Sequence, residues 1–488
     1  MKHVCKAVVL SFLSAVIFSG CSSEKKCDYT SLPWVDQVGA HAYPGDELFK
    51  ANDYGAVNDS TILSTAAIQA AIDACHQKGG GTVAFEPGAY LTGALFVRSG
   101  VNLQIGEGVT LLASTNIDHY PESMTRIAGI EMVWPSAVLN ILDAENAAIS
   151  GSGSIDCRGE VFWDKYWTMR KEYEQRKLRW IVDYDCKRVR GILISNSKDV
   201  TLRDFTLMRT GFWGVQVLFS NHCTIDGLAI NNNIGGHGPS TDGIDIDSSS
   251  YILIENCDVD CNDDNICLKA GRDADGLRVN RPTEYVVVRN CIARKGAGLI
   301  TCGSETSGGI RHILGHNLKA YGTSSVIRLK SAMTRGGTVE HIYMMDVEAE
   351  GTRHVLSADL NWNPSYSYSE LPAEYEGQEL PPHWKVMLTR VEPEELGYPR
   401  FKDVFLCNIK ATGVKEFVSA AGWDEALRLE NFELSNLDIS CVNAGKVIFT
   451  ERFKLDNVTL DVSSGDKILF RDNTNMISNV HYKSNDLH

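Results

Sequence analysis

The stretch STDGIDIDSSSYILIENCDVDCNDDNICLK, residues 240–269, decides how this chain is read. It holds two acidic clusters, Asp242 with Asp245 and Asp247, then Asp263 with Asp264. Between them runs a β-rich segment (Tyr251, Ile252, Leu253, Ile254) with its own turn residues. If that segment is one circuit of a coiled sheet, the clusters lie above one another on neighbouring turns. Adjacent residues of a strand point to opposite faces, so Asp263 and Asp264 in a regular strand would bury one carboxylate unpaired, at high cost. The pair is therefore expected at a bend, with both groups reaching solvent or substrate. Crowded carboxylates cannot all ionise, so one retains a proton near neutral pH. A general acid then stands beside a general base. An isolated acidic turn would mean no more than turn propensity, but here the cluster is doubled and basic residues follow it.

The same strand-and-corner pattern recurs on both sides. VTLRDFTL starts at Val200, CTIDGLAI at Cys223, ILIENCDV at Ile252, VVVRNCIA at Val286 and HILGHNLKA at His312. Weaker members follow at His341, Val404, Leu429 and Phe453. Each has Asn, Asp or Gly at its corner, and the first starts are 23, 29, 34 and 26 residues apart. Such self-similarity without helical periodicity predicts an all-β chain, a right-handed single-stranded parallel β-helix with variable loops. A sandwich array would want Asn-Gly or Asp-Gly hairpin links, which these segments lack. Residues 65–77 read as a helix with Ile68, Ala71, Ile72 and Cys75 on one face, stopped by the glycines at 79–81. Before so many strands, it suits a cap over the open end of a solenoid. Strands are expected at 82–85, 91–97 and 101–105.

Two aromatic-rich insertions, near 159–190 and 361–400, interrupt the repeats. Loops of this kind project from one face of a repeat protein and carry binding function. Their aromatics either stack on sugar rings or cover the solenoid side as local core.

At the N-terminus, Lys2 and Lys6 precede a short apolar run, then Ser19, Gly20 and Cys21. This resembles a bacterial lipoprotein signal (residues 1–20), with Cys21 the lipidated residue and 21–45 a tether, although Phe18 departs from the usual aliphatic. The alternative is an ordinary secretory signal; both export the protein, to the periplasm or the outer surface. Residues 46–488 are expected to form a single β-helix domain. Twelve cysteines beyond Cys5 and Cys21 permit disulfides in an oxidising compartment without establishing them. Cys257 and Cys291 hold matching repeat positions and are expected to stack as buried thiols. No paired C-x-x-C motifs point to zinc.

The formal net charge of −15 argues against nucleic acid or an anionic membrane as partner, a lipid anchor excepted. Yet residues 269–335 hold twelve Lys and Arg against four acids. That sign reversal predicts a cationic patch able to focus an anionic ligand.

These residues resemble glycoside hydrolase family 28, the polygalacturonase family of parallel β-helix enzymes that hydrolyse pectin with inversion. The family's Asn-Thr-Asp is matched by Ser240, Thr241 and Asp242, its Asp-Asp by Asp263 and Asp264, and its Arg-Ile-Lys by Arg328, Leu329 and Lys330. The resemblance implies Asp263 as the acid that protonates the glycosidic oxygen. Asp242 with Asp264 would hold and deprotonate the attacking water, while Arg328 and Lys330 would grip a uronate carboxylate. Lys269 joins these substrate-binding cations. The family's Gly-His-Gly is absent, since Gly296, Ala297 and Gly298 stand there. A literal Gly-His-Gly at Gly236, His237 and Gly238 offers His237 as a partial substitute or as a solvent loop residue. These departures shift the expected substrate from plain homogalacturonan toward rhamnogalacturonan or terminal galacturonate. No metal or organic cofactor is called for. Two other classes stay open: a calcium-dependent, pectate-lyase-like eliminase and a non-catalytic glycan-binding β-helix.

Overall fold

The computed structural model describes residues 27–483. Residues 1–20 and Cys21, the expected signal and lipidation site, lie outside them.

The repeats stack as parallel coils, and an apolar residue at or just after each start forms one column. Val200 pairs with Cys223, Cys223 with Ile252, Ile252 with Val286 and Val286 with Ile313. The column continues through Ile342, Val404, Phe432 and Phe453, and every member is at most 1% exposed. Such columns fill the solenoid from end to end, each coil burying the apolar face of the one before it. Helix Thr65–Gln77 forms as expected and buries Ile68, Ala71, Ile72 and Cys75 over the first coil.

The corners explain the Asn-rich spacing. Asn256, Asn290, Asn317, Asn408, Asn436 and Asn457 all hold left-handed backbone, φ 53–56°, which short polar side chains tolerate best. Their amides bond from coil to coil, for example Asn317 to Asn290 at 2.6 Å and Asn457 to Asn436 at 2.9 Å. A second left-handed column holds His222, Tyr251, Tyr285, His312 and His341. Bulky residues are costly in that conformation. Here their rings stack at 4.8–4.9 Å, the spacing of neighbouring strands. Cys257 and Cys291 are free, buried thiols on adjacent coils.

From residue 27 onward, the stretch expected to be a tether is instead a strap packed along the solenoid flank. Cys27 is disulfide-bonded to Cys407. Tyr29 packs on Tyr343, Trp34 on Tyr285, and the Gly39 amide donates to the Tyr251 carbonyl. Apolar side chains at Tyr29, Leu32, Trp34, Val35 and Val38 drive this docking, a signal too short to stand out beside the repeats. The disulfide closes a span of 380 residues. Cys27→Ser is expected to cost about 2–4 kcal/mol, read as a lower midpoint in urea that reducing agent produces in the wild type but not in the variant.

The insertion at 159–190 contains helices Glu160–Gln175 and Val182–Asp185. A further excursion, unanticipated from sequence, is the antiparallel hairpin of Glu122–Ile127 and Ile130–Pro135. Its Arg126 reaches the solenoid, where the guanidinium donates to Asp247 at 2.9 Å and Ser248 at 2.7 Å, fully buried. Hairpin, helical insertion and the 361–400 segment share a second apolar core of Trp134, Trp180, Tyr184, Phe212, Trp213 and Trp384. Of the two roles open to the insertion aromatics, Trp180 and Trp384 therefore take the local-core one. Trp362 and Tyr366 turn toward the acidic cluster.

Candidate active site

The acidic clusters meet as the coil reading requires. The Gly214 amide donates to the Asp242 carbonyl at 2.8 Å and the Gly243 amide to the Asp264 carbonyl at 3.0 Å. Asp242 and Asp264 thus sit at equivalent places on successive coils, just before strands Ile244–Asp247 and Ile266–Lys269. A carboxylate oxygen of each lies within 4.8 Å of the other. Asp263 precedes the strand at a bend, where its Oδ1 accepts the Asp264 amide at 3.0 Å. All three aspartates line one cavity of about 80 Å³ with Lys269, Lys330, Glu305, Trp213, Trp362, Tyr366, Ser240, Asp183 and Arg179.

The carboxylates are not alike. Asp264 accepts the Thr301 hydroxyl at 2.7 Å, the Gly298 amide at 3.2 Å and the Lys330 ammonium at 2.7 Å, with Arg328 at 3.6 Å. Burial alone would push Asp264 up, but Lys330, Arg328 and Lys269 outweigh it and hold the group well below the usual carboxylate range. Burial, reinforced by Asp264, raises Asp263. Burial, then Asp245 and Asp263, raise Asp242 strongly. Asp245 is pushed up to about 8 by burial, against the pull of Lys269. An ionised carboxylate therefore stands beside carboxyls that hold their protons more tightly than an exposed aspartate does, which is the division acid–base catalysis needs.

Lys269, 5% exposed at its side chain, lies 3.6 Å from Asp242, 3.5 Å from Asp245 and 3.4 Å from Glu305, over the Trp213 ring. Its charge lowers Asp242 and Asp245. Removing it as Lys269→Met should raise both groups and move the acid limb of kcat/KM to higher pH by about 1 unit. Lys269→Arg should leave that limb in place. A pH–rate profile of the three proteins checks this.

Arg328 and Lys330 project from strand Ser325–Lys330, Lys330 lining the cavity and Arg328 beside it, and both face the ring of Trp362, at 5.3 and 4.4 Å. His237 is exposed and rests on Trp167, 5.4 Å between ring centres, and is not among the residues lining the cavity. The wider cationic patch expected from residues 269–335 does not form. Arg289 pairs with Glu255, Arg294 with Asp258, Arg311 with Glu284, Arg278 with Glu131 and Lys319 with Glu348. Each partner lies on a neighbouring coil or on the hairpin, so a count along the chain overstated the local charge. Lys269, Arg328 and Lys330 are the cations of that segment within 4 Å of Asp242, Asp245 or Asp264.

Sequence reasoning missed Glu305, Asp183 and Arg179. Glu305 is held at about 2, against its burial, by Lys269, Arg335 and Lys330. Asp183 is likewise held at about 2, against its burial, by Arg179 and Arg188, and accepts the Ser240 hydroxyl at 3.1 Å. Ser240 thus ties the first acidic motif to the helical insertion, a link with no signature in local spacing. Asp242, Asp264 and Cys267 come close enough together to hold a cation. That place is already contested by the Lys330 and Lys269 ammonium groups, however, so the donor set does not fit calcium.

A right-handed β-helix carrying a cluster of unlike carboxylates beside paired cations defines a glycan-processing class. The family model for glycosyl hydrolases family 28 matches residues 89–365, and the chain belongs to that family. A probable polygalacturonase of Vitis vinifera is 29% identical, over 60% of this chain and 58% of its own. An exo-poly-alpha-D-galacturonosidase of Dickeya chrysanthemi is 27% identical, over 67% and 60%. The chain thus spans about three-fifths of the length of these relatives. The crystal structure of a hyperthermoactive exopolygalacturonase from Thermotoga maritima superposes with a TM-score of 0.70 at 24% identity, over 92% of this chain and 94% of that one. It supports the fold.

Proposed function

We propose that this protein is an inverting glycoside hydrolase that removes galacturonate from the end of a pectic chain. The observation that carries the reading is Asp264, held ionised by Lys330 and Arg328, beside Asp242 and Asp263, which burial keeps prone to protonation. Asp263 gives its proton to the glycosidic oxygen as the bond from that oxygen to the anomeric carbon breaks. A water held between Asp242 and Asp264 attacks the carbon from the opposite face and loses its proton to that pair. The family relationship and the two galacturonan-directed relatives support the substrate class.

End-on action is supported by the cavity itself. The cavity holds about 80 Å³ of space, and Arg179, Trp362 and Tyr366, all from the two insertions, line it beside the aspartates, which leaves little room for a long chain to run through. Digestion of galacturonate oligomers of defined length tests it. Galacturonic acid released singly from the first minutes fits the proposal, and early release of mid-length fragments contradicts it. Export through the N-terminal segment, with a lipid on Cys21, is part of the same proposal. Labelling with radioactive palmitate, lost in Cys21→Ala, tests that part.

A further inference from the structure

Two pairs of cations stand at or beside the cavity, and the family resemblance accounts for one. In that pair Lys330 and Arg328 face a single carboxylate, Asp264. In the other, Arg179 and Arg188 face a single carboxylate, Asp183. Arg188 is fully buried, donates to Asp183 at 3.0 Å and to the Pro239 carbonyl at 2.7 Å, and lies over the rings of Tyr166 and Phe212. Asp183 carries one negative charge, so Arg179 and Arg188 together leave one positive charge in excess.

The geometry of Arg179 is that of a reader. One nitrogen, NH1, donates to Asp183 Oδ2 at 2.6 Å, and the guanidinium lies over the Tyr366 ring at 5.0 Å. Among the described residues no other acceptor meets it, and its side chain keeps 15% exposure while lining the cavity with Asp242, Asp263 and Asp264. A planar fork fixed at one edge by a carboxylate and on one face by an aromatic ring has its remaining N–H groups preset for a second carboxylate.

We infer that Arg179 is a substrate-binding residue for a uronate carboxylate other than the one Lys330 and Arg328 would hold. Resting on the hydrolase proposal, this names the disaccharide unit the site selects. An α-linked pair of galacturonates offers one carboxylate to each pair of cations. A galacturonate–rhamnose pair leaves one excess cation without its anion, so the rhamnogalacturonan alternative is disfavoured.

The test uses digalacturonate and its two monomethyl esters, with the full chain as wild type, Arg179→Gln and Arg179→Lys. Each ester removes one carboxylate charge. With wild type, either ester should raise KM by about 10–100-fold, the worth of one charged hydrogen-bonded contact. Arg179→Gln should raise KM for digalacturonate by a similar factor with a smaller change in kcat, and one of the two esters should then cost nothing further. Arg179→Lys should recover part of the loss. An unchanged KM in Arg179→Gln, or a penalty retained for both esters, overturns the inference. Calorimetric titration of digalacturonate into Asp263→Asn, with and without Arg179→Gln, reads binding without turnover. Binding that weakens with Arg179→Gln while wild type shows no hydrolysis would sink the hydrolase proposal alone. Hydrolysis with binding indifferent to Arg179, or no binding at all, would sink this inference.

Discussion

Asp263→Asn is expected to lower turnover of digalacturonate by about 10³-fold, the scale of a lost general acid, while the protein still folds and binds. The amide oxygen of Asn can keep the hydrogen bond that Asp263 Oδ1 accepts from the Asp264 backbone, so geometry is retained and the transferable proton is not. The same substitution has a signature in stability. Burial and Asp264 raise Asp263 in the folded protein above its value in the unfolded chain. Between those two values the folded state binds the extra proton, so stability falls as pH rises through that window. Asparagine does not titrate. The melting temperature of the variant should therefore gain on that of wild type as pH climbs above about 4. Thermal melts across pH, beside steady-state rates, check both halves. A variant that keeps more than a tenth of wild-type turnover would remove Asp263 from the acid role.

Asp264→Asn should be as damaging to turnover and far more damaging to the fold. Lys330 is 7% exposed at its side chain and 2.7 Å from Asp264, so neutralising the partner strands a buried ammonium at about 3–5 kcal/mol. The sign follows from the ionised state of Asp264, whose lowered value means it stabilises the fold at every pH above the ordinary carboxylate range. Adding Lys330→Met to Asp264→Asn removes the stranded charge and should recover most of the stability, with no recovery of turnover. Urea midpoints of the single and double variants, read beside their rates, separate the two effects. If the double variant regained activity, Asp264 would be a structural partner of Lys330 and nothing more.

The site was legible in sequence where strand stacking alone places residues. Asp242 and Asp264 come together because one coil separates them, and the repeat starts from Val200 to Phe453 announce the coils. Arg179 and Asp183 were illegible because they arrive from an insertion whose helices have no register with the coils. Ser240 meets Asp183 across 57 residues of intervening chain. Hairpin 122–135 was missed for a related reason. Its alternation resembles that of any strand, and what defines it is Arg126 reaching Asp247, a contact 121 residues distant. The basic run of 269–335 misled because a parallel coil places the acid partner of Arg289 at Glu255 and that of Arg294 at Asp258, about one circuit earlier. Charge counted along the chain is not charge counted across a stack.

The central claim is that Asp263 protonates a galacturonosidic oxygen while Asp242 and Asp264 deliver water to the opposite face of the sugar. Proton NMR of the galacturonate released from the methyl glycoside of digalacturonate, whose blocked reducing end adds no free anomers of its own, reports on it directly when recorded before the new anomer equilibrates. The β anomer should appear first, since inversion at an α linkage gives β. An initial α anomer, or a product carrying the carbon–carbon double bond of an elimination, would contradict it.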